Sequence, residues 1–136
     1  MDDVQISLVQ ESFAKVVPIK DTAAALFYAD LFETSPAMEA LFEGADMEAQ
    51  GQKLMATIAV VVDGLVAPDG IIPAAEDLAM RHVEYGVKAE DYDAVGASLL
   101  RTLARGLGDD FTPEVEAAWT EAYTILADVM KRAAYG

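Results

Sequence analysis

Five prolines, at positions 18, 36, 68, 73 and 113, divide this chain, and between them the apolar residues recur at intervals of three and four. That spacing lines one face of an α-helix, whereas a half-buried strand requires strict alternation. Runs of alternating β-branched residues are missing. The brief Val60-Val61-Val62 falls inside a longer helical period. The chain is therefore read as all-α.

Each segment carries its own punctuation. Ser7 and Gln10 have the spacing of a capping box, and Ile6, Val9, Phe13, Val16 and Val17 follow a helical period up to Pro18. Asp21 is the expected cap of a second helix with Ala24, Phe27, Tyr28, Leu31 and Phe32 on its apolar face. Ser35-Pro36 opens a short third helix that ends around Leu41-Phe42. Asp46 begins a longer one, whose stripe of Leu54, Ile58, Val61 and Leu65 is broken by Gly64 and Pro68. Pro73 starts a short segment carrying Leu78 and His82. Asp91 leads a helix with Tyr92, Val95, Leu99, Leu100 and Leu103 inward, stopped at Gly106-Leu107-Gly108. Thr112-Pro113 opens the last, with Val115, Trp119, Ala122, Leu126 and Val129 on its core face. Seven helices are expected, in one domain of residues 1–136, with no internal repeat and no flexible linker.

Composition narrows the chemistry. A formal charge of −15 with no basic stripe argues against nucleic acid and against an anionic membrane surface as partners. The most apolar stretch, Ile58 to Val62, is far too short to span a bilayer. Met1-Asp2-Asp3 lacks the basic and apolar regions of a secretory signal, so the expected location is cytoplasmic. Cysteine is absent, which removes disulfides, thiolate metal sites, thiol nucleophiles and cysteine-linked haem. The carboxylates are plentiful, but a Glu-x-x-His di-iron site needs two histidines and the chain has one.

That one is His82. A solitary histidine on an amphipathic helix is commonly a packed or surface residue. As a ligand it can hold iron only where a macrocycle supplies the in-plane bonds, which makes haem the cofactor to test.

Further spacings give this reading its context. Phe27-Tyr28, Leu31-Phe32, Pro36, Leu41-Phe42, the interval from Gln50 to Leu54 and that from His82 to Tyr92 occur in order along the chain. They continue through Tyr92-Asp93-Ala94-Val95-Gly96, Leu99-Leu100, Ala118-Trp119, Ala122-Tyr123 and Ala127-Asp128-Val129. Together they resemble the bacterial single-domain haemoglobins and the globin half of flavohaemoglobins, over nearly the whole chain. The resemblance implies a globin fold, a three-over-three helical sandwich of about seven helices around non-covalent haem b (iron protoporphyrin IX). It implies His82 as the proximal iron ligand, its second ring nitrogen donating to the Leu78 carbonyl, and Tyr28 and Gln50 facing a bound gas. Phe42 and Leu54 would press on the macrocycle, with Val87, Tyr92 and Val95 also lining the pocket. Lys53, Arg81 and Lys88 are the cations near enough in sequence to meet the haem propionates.

The implied function is reversible binding of dioxygen, with nitric oxide and carbon monoxide as further ligands, for transport, storage or sensing. One alternative is nitric oxide dioxygenation with an external reductase, since no Gly-x-Gly-x-x-Gly dinucleotide motif is present. Another is a haem-free globin-like interaction domain. The sequence departs from the flavohaemoglobin pattern at one informative place. Where that family carries a glutamate on its last helix, joined to the proximal histidine and to the tyrosine that Tyr92 resembles, this chain has Ala134. An imidazole without that carboxylate donates less electron density to iron, which favours reversible binding over oxygen-bond cleavage.

Overall fold

A computed structural model describes residues 1–135. Among them are seven α-helices and no strand: α1 (Asp3–Val16), α2 (Lys20–Thr34), α3 (Pro36–Glu39), α4 (Met47–Gly64), α5 (Ile72–Glu84), α6 (Asp91–Leu107) and α7 (Pro113–Tyr135). The all-α expectation holds. No helix among the described residues is long and apolar enough to cross a membrane.

Two expected helix starts are corrected. α1 is capped by Asp2, whose carboxylate accepts from the Gln5 amide at 2.8 Å, while the Gln5 side chain accepts from the Asp2 amide at 3.3 Å. This box lies five residues before the expected Ser7–Gln10 pair. Nothing between the two interrupts the helix, and extending it costs less than nucleating it later. Gln10 instead reaches across to the Val62 carbonyl at 3.2 Å and ties α1 to α4. Asp21 is likewise not a cap. The chain passes from α1 to α2 through one 3-10 turn, Val17–Ile19, in which the Val17 amide donates to the Phe13 carbonyl and the Lys20 amide to that of Val17. The first amides of α2 therefore have a preceding turn to bond to, and no side chain is required.

Other boundaries follow the local chemistry. Asp46 caps α4 by accepting from the amides of Glu48 and Ala49 at 3.0 and 3.3 Å. Pro73 lies in the first turn of α5, which starts one residue earlier, at Ile72. α6 runs on through Gly106 to Leu107 and stops at Gly108, whose φ of +57° a side chain would disfavour.

The packing places α2 across α4 and α6, while α7 covers both α1 and α5. At the crossing of α2 and α4 a Cβ built on Gly51 would lie 2.9 Å from the Ala24 Cβ, so only glycine permits this approach. The residue before it, Gln50, is thereby brought toward α2. Two polar contacts fasten the bundle from inside. The Trp119 indole donates to the Ser12 hydroxyl at 2.8 Å, joining α7 to α1. Asp30, buried on α2, accepts from the Arg101 guanidinium of α6 through Nε at 2.9 Å and Nη2 at 2.6 Å. Of the expected inward stripe on α6, Tyr92 and Leu103 are buried, while Val95, Leu99 and Leu100 are only half-buried.

Candidate functional site

α6 runs beneath two distinct apolar clusters, contributing Tyr92 to one and Val95 and Leu99 to the other. The first cluster lies under α5 and α7. It gathers Leu78, Ala79, Val87, Tyr92 and Met130, and the ring of His82 stands 6.4 Å from that of Tyr92. The second gathers Phe27, Tyr28, Phe32, Phe42, Leu54 and Val95 from α2, α4, α6 and the turn after α3.

His82 lies in the last turn of α5, half-buried. Its Nδ1 bonds the Leu78 carbonyl, one turn back, at 2.8 Å. A carbonyl only accepts, so the proton sits on Nδ1 and the lone pair on Nε2. Burial pulls the imidazole's pKa below its usual value; the Leu78 carbonyl works against that shift and the Arg81 charge adds to it. Neutral imidazole is the form that binds a metal.

The helix beneath it ends in a defined way. The Val87 amide donates to the His82 carbonyl at 3.0 Å and the Gly86 amide to that of Val83 at 3.0 Å, with Gly86 at φ +92°. These are the two bonds of a Schellman cap, and the positive φ explains the glycine.

In the second cluster Tyr28 is buried among aromatic rings, its centroid 5.0 Å from Phe27, 5.8 Å from Phe32 and 5.3 Å from Phe42. Burial raises the phenol's pKa above its ordinary value, an effect the neighbouring Gln50 carboxamide partly offsets. The hydroxyl therefore keeps its proton at neutral pH and remains a donor. Phe42, Gln50, Leu54 and Val95 are all half-buried.

The cations are arranged differently from the pocket residues. Lys53, Arg81 and Lys88 are exposed, and Arg81 is bonded to Asp77 at 2.6 Å. Sequence reasoning also left Phe32 and Leu99 out of the site. Each lies four residues beyond a chosen one, Tyr28 and Val95, so helical spacing alone could have found them.

These residues fit a haem. His82 offers a free Nε2, and α6 supplies apolar side chains to both clusters. The buried Tyr92 hydroxyl has no hydrogen-bond partner among the described residues, so the His82 side contains a donor that still lacks an acceptor. Ala134, half-buried in the same cluster, brings no carboxylate to it.

The Globin family model matches residues 25–130 of this chain. The chain is 34% identical over 131 residues to a flavohemoprotein of Rhodopirellula baltica, covering 95% of this chain and 32% of that protein. It is 32% identical over 106 residues to a flavohemoprotein of Rhizobium meliloti, with 76% and 26% covered. A flavohemoprotein of Bacillus subtilis is 27% identical over 133 residues, with 94% and 33% covered. The chain thus spans about a quarter to a third of the length of these curated relatives.

Proposed function

The chain belongs to the globin family of haem-binding proteins, and from that premise we propose that it would hold haem b through His82 Nε2 and bind dioxygen reversibly. When bound, haem supplies a ferrous iron that takes up diatomic gases. The chain supplies the rest. The Leu78 carbonyl fixes the His82 ring and its tautomer, as an outer-shell acceptor does for a metal-bound histidine. Phe42, Leu54 and Val95 keep water from the Tyr28 side. The Tyr28 hydroxyl and the Gln50 carboxamide offer hydrogen bonds to a ligand carrying negative charge, so dioxygen gains more from them than carbon monoxide does. Nitric oxide and carbon monoxide are the other ligands such a site would take.

The observation that carries the carrier reading is the acceptor at His82 Nδ1. It is a neutral backbone carbonyl, with Ala134 where the flavohaemoglobin pattern puts a carboxylate. A neutral acceptor leaves the imidazole a modest electron donor, which suits reversible binding.

Nitric oxide dioxygenation with a separate reductase is the second reading, favoured by the likeness to flavohemoproteins. Rapid mixing separates the two. The carrier reading expects haem-loaded ferrous protein to take up and release dioxygen through repeated cycles with its spectrum restored, and to consume nitric oxide only stoichiometrically. Sustained nitric oxide turnover with a flavin reductase and a nicotinamide donor would establish the enzyme instead.

A further inference from the structure

α2 is held from two sides around Tyr28. Ala24, one turn before Tyr28 on the same face, meets Gly51 at the close crossing with α4. Asp30, two residues after Tyr28 and a little over half a turn away, projects from the other side of the helix and meets Arg101 of α6. The guanidinium grips the carboxylate as a fork, Nε to Oδ2 at 2.9 Å and Nη2 to Oδ1 at 2.6 Å. The same Nη2 donates to the hydroxyls of Ser98 at 3.3 Å and Thr34 at 3.4 Å, so a second residue of α2 is tied to it.

This fork differs in kind from the packing beside it. Phe27, Leu31, Val95 and Leu99 meet through apolar contact, which is non-directional and lets helices slide. A bidentate guanidinium pair with a carboxylate is directional and fixes relative orientation. Arg105 approaches Asp30 only at 3.8 Å and provides no second fork. Gripped at Ala24 and at Asp30, α2 is kept from rolling about its own axis. The Tyr28 hydroxyl stands at the end of a long side chain, so a roll too small to disturb the backbone would displace it appreciably. Hydrogen bonds hold over only a narrow range of distance and angle.

From this geometry we propose that Arg101, acting through Asp30, is a positioning residue for Tyr28: it fixes the roll of α2 and so the point at which the Tyr28 hydroxyl would meet a bound gas. The proposal rests on the haem reading given above and deepens it. Neither Asp30 nor Arg101 belongs to the aromatic cluster around Tyr28, so their effect reaches the gas only through the helix. A buried ion pair often adds no more stability than apolar residues of the same size, and its best use is to specify one arrangement. Here the arrangement specified is that of α2 on α6.

In the haem-loaded ferrous protein, Arg101→Met should speed dioxygen release about three- to tenfold, with carbon monoxide release changed by no more than about twofold. The C–O stretching band under carbon monoxide, which reports the field of a nearby donor, should move toward its position in Tyr28→Phe. Where Tyr28 is already phenylalanine, Arg101→Met should add nothing, because both changes act on one hydrogen bond. Ser12→Ala removes the acceptor of the Trp119 indole and loosens the bundle where α7 meets α1; it should leave both release rates unchanged. An unchanged dioxygen rate in Arg101→Met, an effect that adds to that of Tyr28→Phe, or equal acceleration by Ser12→Ala overturns the proposal. Should Arg101→Met not fold, Asp30→Asn, which keeps the side chain's shape and removes its charge, carries the same expectations. If the parent takes up no haem, or Tyr28→Phe leaves dioxygen release unaltered, it is the haem reading of Tyr28 that fails. The roll of α2 is then read in the haem-free chain by NMR of ring-labelled tyrosine. The Tyr28 signal should move in Arg101→Met while those of Tyr123 and Tyr135 stay, and an unmoved Tyr28 signal overturns the anchor by itself.

Discussion

Replacing Tyr28 with phenylalanine is expected to speed dioxygen release about ten- to a hundredfold, while carbon monoxide release changes by no more than about twofold. The ring's contacts with Phe27, Phe32 and Phe42 are apolar and survive the substitution, so the change is close to loss of a hydroxyl alone. That hydroxyl holds its proton, because burial raises its pKa. A ferrous haem would polarise dioxygen far more than carbon monoxide, so dioxygen would gain more from the Tyr28 donor. The measurement is displacement of each gas followed by stopped-flow absorption. Equal acceleration of both gases would remove Tyr28 from the ligand side and reassign it to packing.

The second large effect concerns the scaffold. Arg101→Met is expected to cost about 2 kcal/mol of folding stability and to lower the melting temperature by about 8 °C. The Asp30 carboxylate is buried, and its bond to Arg101 is the main reason its pKa lies below the usual carboxylate value, outweighing the burial that would raise it. The figure is set below the usual cost of breaking a buried pair because Arg101 is itself half-exposed and Arg105 still approaches Asp30 at 3.8 Å. The pH dependence has a definite sign. With a depressed folded value, Asp30 contributes fully above the unfolded carboxylate value of about 4 and loses its contribution as pH falls through the lower folded value. The stability gap between parent and variant should therefore be widest near neutrality and shrink below about pH 4. Thermal or urea unfolding at several pH values measures it. A gap that does not depend on pH would mean that Arg101 acts through packing alone.

What could be read from the sequence was what repeats locally. Helical spacing identified every α-helix, and the Asp46 cap stood out because an aspartate opens a long apolar period there. It also placed Phe42, Leu54 and Val95 on helical or turn segments that converge on Tyr28. Where two residues fitted one pattern, the sequence could not choose: Asp2 and Ser7 each precede a glutamine by three positions, and only the continuity of α1 decides between them. Pairings distant along the chain left no local trace. Asp30 meets Arg101 across 71 positions, Trp119 meets Ser12 across 107, and Tyr135 meets Val87 across 48. In a chain with 24 acidic residues nothing local marks Asp30 as the buried one, because its burial depends on where α6 crosses. The same applies to Arg81, a propionate candidate by position, whose guanidinium turns along its own helix to Asp77.

The coordination of iron by His82 is tested most directly by the absorption spectrum of the haem-loaded ferrous chain under nitrogen, then under carbon monoxide, in parent and His82→Ala proteins. A five-coordinate spectrum that converts fully to a carbon monoxide adduct is expected for the parent, and for the variant a chain that folds but neither retains haem through gel filtration nor reproduces that spectrum. A variant that keeps haem with the parent's spectrum, or a parent that shows no Soret band after haem is offered, would rule out His82 as the iron ligand.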